Sequence, residues 1–491
     1  MKKSGGSILR MIFVAVAIGA QVGWLTLQVA ALNEYSVYIS VFSSLLAALV
    51  VLRLHSRDTT PAMKMPWIMV ILVFPVMGLT LYFLMMICGD PAGTKKRLAR
   101  VRRERPVGAD GKAPWCRSLA ARGYPAYEGT QAKYFADAAQ AFRAMKDDLE
   151  RAEHFIFMEY FIVEDGEAFR EIEEILVRKA RQGVEVRLMY DDMGSIGVAN
   201  FRFARRLRQA GIQCRVFNPA VPVLNLFMNH RDHRKITVID GKVGYTGGFN
   251  LAGEYFGYRK PYGHWKDGGL RLEGPGVDGL TGTFLELWDL TTGKRTGEGY
   301  TNLSGPAGGG GWVLPYGDDP LGTERLTEDL YLNLAGCARE KLWFMTPYLI
   351  LTDELTRALG LAAKRGVDVR IITPGIPDKK TVYSVTRSYY AGLARRGVRI
   401  FEYTPGFCHG KLCLADGETA VVGTSNLDFR SLYHHFENNV ILHGCAAVGE
   451  VEADFLQTFA VCREVTAQYA DGPNAALGLW QCILRLLAPL M

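Results

Sequence analysis

The feature that most constrains this chain is a duplication. A first unit runs through an apolar stretch, Phe155 to Val163, a helix-like segment from Ala168 to Arg181, and a strand-like segment from Gly183 to Tyr190. A second helix, Phe201 to Ala210, and a strand, Gln213 to Phe217, complete it. The same order returns in Leu342 to Ile350, Glu354 to Arg365, Gly366 to Ile372, a helix ending at Arg396, and Val398 to Tyr403. Glycine after each helix fits a C-terminal stop, and the β-branched runs that follow fit buried parallel strands. Strands alternating with helices predict a parallel or mixed sheet covered on both faces. Two such units predict two fused α/β domains related by a pseudo-twofold axis.

Each unit ends in one pattern. The first is His233-Arg234-Lys235 with Asp240, then Gly247-Gly248-Phe249-Asn250; the second is His409-Gly410-Lys411 with Asp416, then Gly423-Thr424-Ser425-Asn426. The histidine-to-asparagine offset is seventeen residues in both. With nine histidines in the chain, Lys at +2 and Asp at +7 should arise by chance about 0.02 times. Two hits at equivalent places of a repeat are not accidental.

The N-terminal region belongs to another regime. Hydrophobic residues make up 49% of the chain, and they concentrate in three stretches, Met11 to Leu32, Tyr35 to Leu52, and Trp67 to Cys88. A hydrocarbon core of about 30 Å needs about twenty apolar residues as helix, which the first and third supply and the second barely reaches. Pro75 and Gly78 interrupt the third stretch, as a membrane helix tolerates when neighbours satisfy the freed carbonyl. A cleaved signal peptide would not explain three runs, so an α-helical transmembrane anchor is expected. Residues 95 to 105 follow with seven positive charges against one negative, fitting a cytoplasmic flank with attraction to anionic headgroups. Three full spans would place Arg53, Arg57 and Lys64, and also Lys2, Lys3 and Arg10, on the opposite side from that run. One re-entrant or interfacial stretch would relieve the conflict, and the sequence leaves the number of spans open. Nine cysteines without CxxC pairs offer neither a disulfide framework nor a zinc site.

These residues resemble the HKD phospholipase D superfamily in its bacterial cardiolipin synthase branch. The likeness rests on both motifs, on Asn426-Leu427-Asp428-Phe429-Arg430-Ser431, on His264-Trp265-Lys266-Asp267 running into Leu272-Glu273-Gly274-Pro275, on the third apolar segment, and on the closing Leu486-Leu487-Ala488-Pro489-Leu490. It implies a phosphatidyltransferase that joins two phosphatidylglycerol molecules into cardiolipin and glycerol through a phosphohistidine. It also implies a multi-pass protein of the bacterial plasma membrane with its catalytic domains in the cytoplasm. The partners are phosphatidylglycerol and cardiolipin in an anionic membrane, with no nucleic acid and no cofactor. Hydrolytic phospholipase D activity, or transfer to another alcohol, uses the same machinery and stays open.

The chemistry suits the residue types. His and Lys two apart on a strand project to one face, so an imidazole and an ammonium can meet one phosphate. His233 and His409 would flank one phosphorus, one ring attacking while the other protonates the leaving oxygen. That requires one neutral and one protonated ring near pH 7, a state histidine reaches without large perturbation. Lys235 and Lys411 supply positive charge to the non-bridging oxygens, with Asn250 and Asn426 as neutral donors. This arrangement does the electrostatic work of a divalent metal, so none is required. The resemblance makes His233 the nucleophile and His409 the general acid and later base.

Asp240 and Asp416, the last members of the motifs, are expected to stabilise the fold. The resemblance suggests that Glu254 and Glu437 each orient a histidine; an exposed loop acid is the competing reading, closer for Glu254. His230 and His233 would face opposite ways on a strand, and no cysteine pattern supports zinc. His434 and His435 read as ordinary surface or core residues, and Cys408 as a buried thiol. Arg234 reads as a headgroup contact or an ion-pair partner. The apolar tail reads as docking either into the bilayer interface or onto the protein body. The resulting division is a membrane anchor over 1–93, a basic linker over 94–130, a first domain over 131–304, a Gly-rich linker over 305–311, a second domain over 312–470 and a tail over 471–491.

Overall fold

A computed structural model describes residues 36–87, 91–101, 113–197, 199, 201–219, 229–296, 298–471 and 478–490, with Val16, Gly19, Ala20, Gly23 and Thr26. Apart from those five residues, the first apolar stretch lies outside the described residues, as do Arg102, Arg103 and Arg105 of the basic run.

The N-terminal region forms α1 (Ser36–His55), α2 (Pro61–Val73), α3 (Pro75–Ile87) and α4 (Pro91–Val101). Among the described residues, no helix is long and apolar enough to cross a membrane. The third apolar stretch is a hairpin. Its rings Trp67 and Tyr82 lie 5.5 Å apart, whereas fifteen residues of continuous helix would separate them by about 22 Å. The break falls at Phe74, whose ψ of 73° leaves the helical region, and Pro75 opens α3, where its missing N–H costs nothing. Gly78 permits the close turn, since a Cβ there would lie 2.6 Å from the Val70 carbonyl oxygen. Ala47, Val50 and Leu54 of α1 bury themselves against Ile71, Leu79 and Tyr82. The basic segment that follows is a docked helix: Leu98 and Val101 of α4 are buried.

The first half contains β1 (Tyr127–Gly129), β2 (Gln131–Phe135), α5 (Ala138–Glu150), β3 (Phe155–Tyr160), α6 (Glu167–Arg181), β4 (Glu185–Asp191), α7 (Phe201–Gln209), β5 (Gln213–Phe217), β6 (Arg231–Asp232), β7 (Lys235–Ile239), β8 (Val243–Gly247), β9 (His264–Lys266), β10 (Gly269–Glu273) and α8 (Val277–Thr292). The second contains β11 (Gly309–Asp318), α9 (Leu326–Cys337), β12 (Lys341–Met345), α10 (Asp353–Lys364), β13 (Asp368–Pro374), α11 (Lys380–Ala394), β14 (Arg399–Tyr403), β15 (Gly406–Cys408), β16 (Leu412–Ala415), β17 (Thr419–Gly423), β18 (His435–His443), α12 (Ala446–Ala460) and β19 (Cys462–Glu464); α13 (Leu479–Leu487) closes the chain.

The sheet orders make the duplication explicit. One sheet runs β2-β10-β8-β7-β3-β4-β5, and the other carries β11-β18-β17-β16-β12-β13-β14 in the equivalent order. In each, the crossover strands are parallel and the motif hairpin is antiparallel. Local sequence explains the elements. In α6, Phe169, Ile172 and Leu176 fall on one buried face, Glu167 opens the helix and Arg178, Lys179 and Arg181 close it in the sense the helix dipole favours. Gly183, at φ 93°, then releases the chain into β4.

The two sheets share one core. Phe157, Ile236 and Val238 of the first sheet join Leu412, Leu414 and Val440 of the second in one buried cluster, with Phe284 and Trp288 of α8 and Val451 and Phe455 of α12. The Gly-rich stretch is therefore not a loose linker throughout. From Gly309 it is strand β11, paired with β1 and β18, and a Cβ on Gly309 would fall 1.9 Å from the Thr130 carbonyl oxygen.

Candidate active site

Besides the β1–β11 pairing, two short strand pairings join the halves, and each of these delivers a motif histidine. Strand β6 pairs in parallel with the start of β18, and β9 pairs in parallel with β15. His233 donates its backbone N–H to the Phe436 carbonyl at 2.9 Å, and His409 donates to the Lys266 carbonyl at 2.7 Å. The residue after each accepting carbonyl is an acid. His233 Nδ1 donates to Glu437 Oε2 at 2.9 Å, and His409 Nδ1 donates to Asp267 Oδ2 at 2.6 Å. Both histidines thus hang from the opposite half by backbone and ring, and both line one cavity of about 1300 Å³. Committing Nδ1 to an acid leaves Nε2 of each ring as the reactive nitrogen.

The lysines lie beneath the rings. Lys235 Nζ donates to the His233 carbonyl at 2.7 Å. Lys411 Nζ donates to the His409 carbonyl at 2.5 Å and lies 3.1 Å from its Nε2. Burial pushes Lys235 down to about 7, against the pull of Glu437, and Lys411 down to about 8, against Asp267 and Glu437. Burial, then the lysines, hold both histidines well below their ordinary range. Burial pushes Asp267 up to about 7, with Lys411 pulling it back. The expectation of one protonated and one neutral ring is therefore not what these side chains favour by themselves. Both imidazoles favour the neutral form until an anion arrives to offset the two ammonium groups.

Other expected residues divide. Asn250 and Asn426 both line the cavity. Asn250 is already engaged, accepting from Ile162 N–H at 3.1 Å and donating to the Tyr255 hydroxyl at 2.8 Å, whereas Asn426 keeps a buried Oδ1 without a hydrogen-bond partner. Asp240 and Asp416 point away from the reacting groups. Asp240 accepts from the backbone N–H groups of Glu153, His154 and Phe155, each at 2.8 Å, and Asp416 does the same for Arg339, Glu340 and Lys341. Glu254 orients no histidine; it pairs with Arg259 at 2.5 Å, and the acid on His409 is Asp267. Arg234 does not line the cavity, and its charge acts on the buried carboxylates of Asp232 and Glu159. It is fully buried and donates to the carbonyls of Glu437 and Thr283.

Asp267 lay within reach of the sequence. His264-Trp265-Lys266-Asp267 and His434-His435-Phe436-Glu437 each place an acid three residues after a histidine, and superposing the repeats equates the two acids. His435 was read as ordinary. Its ring is buried 5.4 Å from that of His233, and neither nitrogen has a hydrogen-bond partner. His233, His435 and Glu437 form a set of side chains with metal-ligating atoms within 4.8 Å of one another. Two lysines beside them favour an anion there over a cation. Phe161, Tyr255, Tyr262, Trp265 and Tyr348 give the cavity an aromatic wall, and Arg231, Arg259, Lys260, Lys379 and Arg430 give it a basic one.

Comparison with known proteins agrees with this architecture. The family model described as "Cardiolipin synthase, PLD-like domain" matches residues 145–260 and 331–459, and one described as a phospholipase D-nuclease N-terminal region matches residues 43–85. A cardiolipin synthase of Geobacillus kaustophilus is 33% identical over 476 residues, covering 92% of this chain and 93% of its own. An uncharacterized protein of Streptococcus mutans is 43% identical over 370 residues, 75% of this chain and 80% of its own. The crystal structure of a phosphatidylserine synthase from Haemophilus influenzae superposes with a TM-score of 0.53 at 15% identity, covering 73% of this chain and 93% of that one. That likeness is one of fold.

Proposed function

The chain belongs to the cardiolipin synthase family of phospholipase D-like proteins, and on that premise we propose that its site moves a phosphatidyl group from one phosphatidylglycerol to another. His233 Nε2 attacks the phosphorus, forming an N–P bond as the P–O bond to glycerol breaks, and His409 Nε2–H gives the departing oxygen its proton. The terminal hydroxyl of a second phosphatidylglycerol then passes its proton to His409. Its oxygen forms the new P–O bond as the N–P bond breaks, and cardiolipin leaves. Phosphodiesters stand on both sides of the balance, so no nucleotide is consumed.

The observation that carries this reading is the crossed pairing of each histidine with an acid of the opposite half, which turns both Nε2 atoms to one cavity. Lys235 and Lys411 supply the charge that a phosphodiester anion requires, and the anion in turn makes protonation of His409 affordable. Asn426 has the free capacity to meet a phosphate or hydroxyl. The aromatic wall excludes water that would otherwise hydrolyse the intermediate to phosphatidic acid.

The N-terminal region is the membrane anchor in this reading. A re-entrant α2–α3 hairpin would keep Arg53, Arg57 and Lys64 on the same, cytoplasmic side as the basic run and the catalytic domains. Arg57→Cys should then resist an impermeant thiol reagent in intact cells, and ready labelling would overturn that topology. For the chemistry, purified protein in mixed micelles with phosphatidylglycerol alone should yield cardiolipin and stoichiometric glycerol. Phosphatidic acid as the sole product would make water the acceptor and sink the synthase reading.

A further inference from the structure

The C-terminal helix α13 has two apolar faces, and only one is spent on the protein. Leu484 and Ala488 are buried in the core of the second domain, where Ala62 and Met63 of α2 pack against the same cluster. The guanidinium of Arg485 lies 4.2 Å from the ring of Tyr389 on α11, Gln481 donates to the Ser384 carbonyl, and His434 Nε2 lies 3.2 Å from the Pro489 carbonyl. The other arc, Leu479, Trp480, Ile483 and Leu487, is 79%, 61%, 43% and 40% exposed. At 100° per residue those four side chains fall within an arc of about 100°.

This arc does not stand alone. Helix α13 touches α2, whose Met65, Met69, Leu72 and Val73 are exposed on one arc that ends at Phe74 on the hairpin tip. Helix α13 also rests on α11, and the chain entering α11 forms the cavity wall through Asp378, Lys379 and Val382. Ser384, which holds Gln481, is therefore two residues along α11 from Val382 of the cavity wall.

We propose that α13 and the α2–α3 hairpin form one bilayer-docking surface, which seats the mouth of the catalytic cavity against the plane of the lipid that supplies both substrates. The proposal rests on the lipid-transfer reading above. The occupant is a bilayer because the exposed arc adjoins the hairpin's, carries a tryptophan suited to the headgroup boundary, and lies beside a cavity with basic walls whose substrate is an anionic lipid. Membrane contact thus comes from both ends of the chain, and the tail acts at the site.

The test uses the full-length protein in phosphatidylglycerol vesicles. Ile483→Cys, in a Cys337→Ser/Cys482→Ser background, is labelled with an environment-sensitive fluorophore. Emission should shift to the blue and be quenched by nitroxide lipids in the vesicle. An unshifted emission indifferent to lipid quenchers overturns the proposal, and cross-linking of the same position between two copies would give the face to a second subunit and overturn it too. This readout needs no turnover, so it decides the docking surface even if cardiolipin formation fails. In parallel, Trp480→Ser/Ile483→Ser should lower activity on vesicles roughly tenfold while sparing activity on short-chain micellar lipid. Equal loss on both substrates would make the helix merely structural.

Discussion

Asp267 Oδ2 sits 2.6 Å from His409 Nδ1, across the seam between the two halves, in the position that Glu437 holds towards His233 at 2.9 Å. In the proposed mechanism the acid fixes the tautomer that presents Nε2 to the cavity and stabilises the ring when it carries the transferred proton. Asp267→Asn keeps the shape and removes that control. It should lower cardiolipin formation by about 10²–10⁴-fold while leaving the circular dichroism and melting temperature near those of the parent protein. Full activity would reduce the pair to a packing contact.

In the proposed mechanism the two histidines have separable roles. With phosphorus-labelled phosphatidylglycerol and rapid acid-free denaturation, the label should be found on the protein, and His233→Ala should remove it. His409→Ala should abolish cardiolipin formation. Label on His409 in the parent protein would exchange the two assignments, and substantial turnover without His409 would rule out the two-histidine mechanism.

Activity and stability should respond to pH in opposite directions. Binding of the phosphodiester requires charged lysines, so kcat/KM should fall as pH rises through about 7 to 8, where Lys235 and Lys411 titrate in the free protein. Both values lie below the ordinary 10.5. Between those limits the unfolded chain binds more protons than the folded one, so the contribution of these lysines to stability grows with rising pH. Lys235→Arg should move the alkaline limb of kcat/KM upward. An unchanged limb would assign it to another group.

Asp240 and Asp416 should matter to folding far more than to chemistry. Asp240→Ala leaves three backbone donors without their carboxylate and should cost about 2–4 kcal/mol, measured by denaturant unfolding. Asp416→Ala should cost less, because two of its three partners, Arg339 and Glu340, sit where water can replace it. The folded fraction of either variant should turn over phosphatidylglycerol within a few-fold of the parent rate. A loss comparable to that of His409→Ala would return these acids to the catalytic centre.

Chelation is a simple check on the lysine pair. If Lys235 and Lys411 supply the charge that faces the phosphate, exhaustive treatment with a divalent chelator should leave turnover unchanged. A strict metal requirement in the chemical step would displace them from that role.

Much of this was legible in the sequence because it is local. The crossover strands and helices came from apolar spacing and glycine stops, and Gln213–Phe217 begins and ends as a strand where those signals put it. The histidines and lysines came from a pattern repeated at fixed spacing. What escaped was non-local. Glu254 is near the first motif in sequence, yet its charge is taken by Arg259, and the acid that reaches His409 comes from the opposite half through the β9–β15 pairing. Pro75 marked an interruption in the third apolar stretch, but only the contact of Trp67 with Tyr82 distinguishes a fold-back from a kink. Arg234 reads as a headgroup contact or an ion-pair partner because nothing in its neighbourhood of sequence reveals the Thr283 carbonyl that receives it.

The crossed anchoring of the two motifs also sets an order in time. A ribosome completes the first motif at Asp240 long before residues 409 and 437 have been made. Until then His233 has neither the Phe436 carbonyl that seats its backbone nor the carboxylate that orients its ring. A nascent chain that stops short of residue 437 thus carries His233 without the groups that seat and orient it. The first motif waits for the second repeat, and whatever chemistry the site performs can start only once residue 437 is in place.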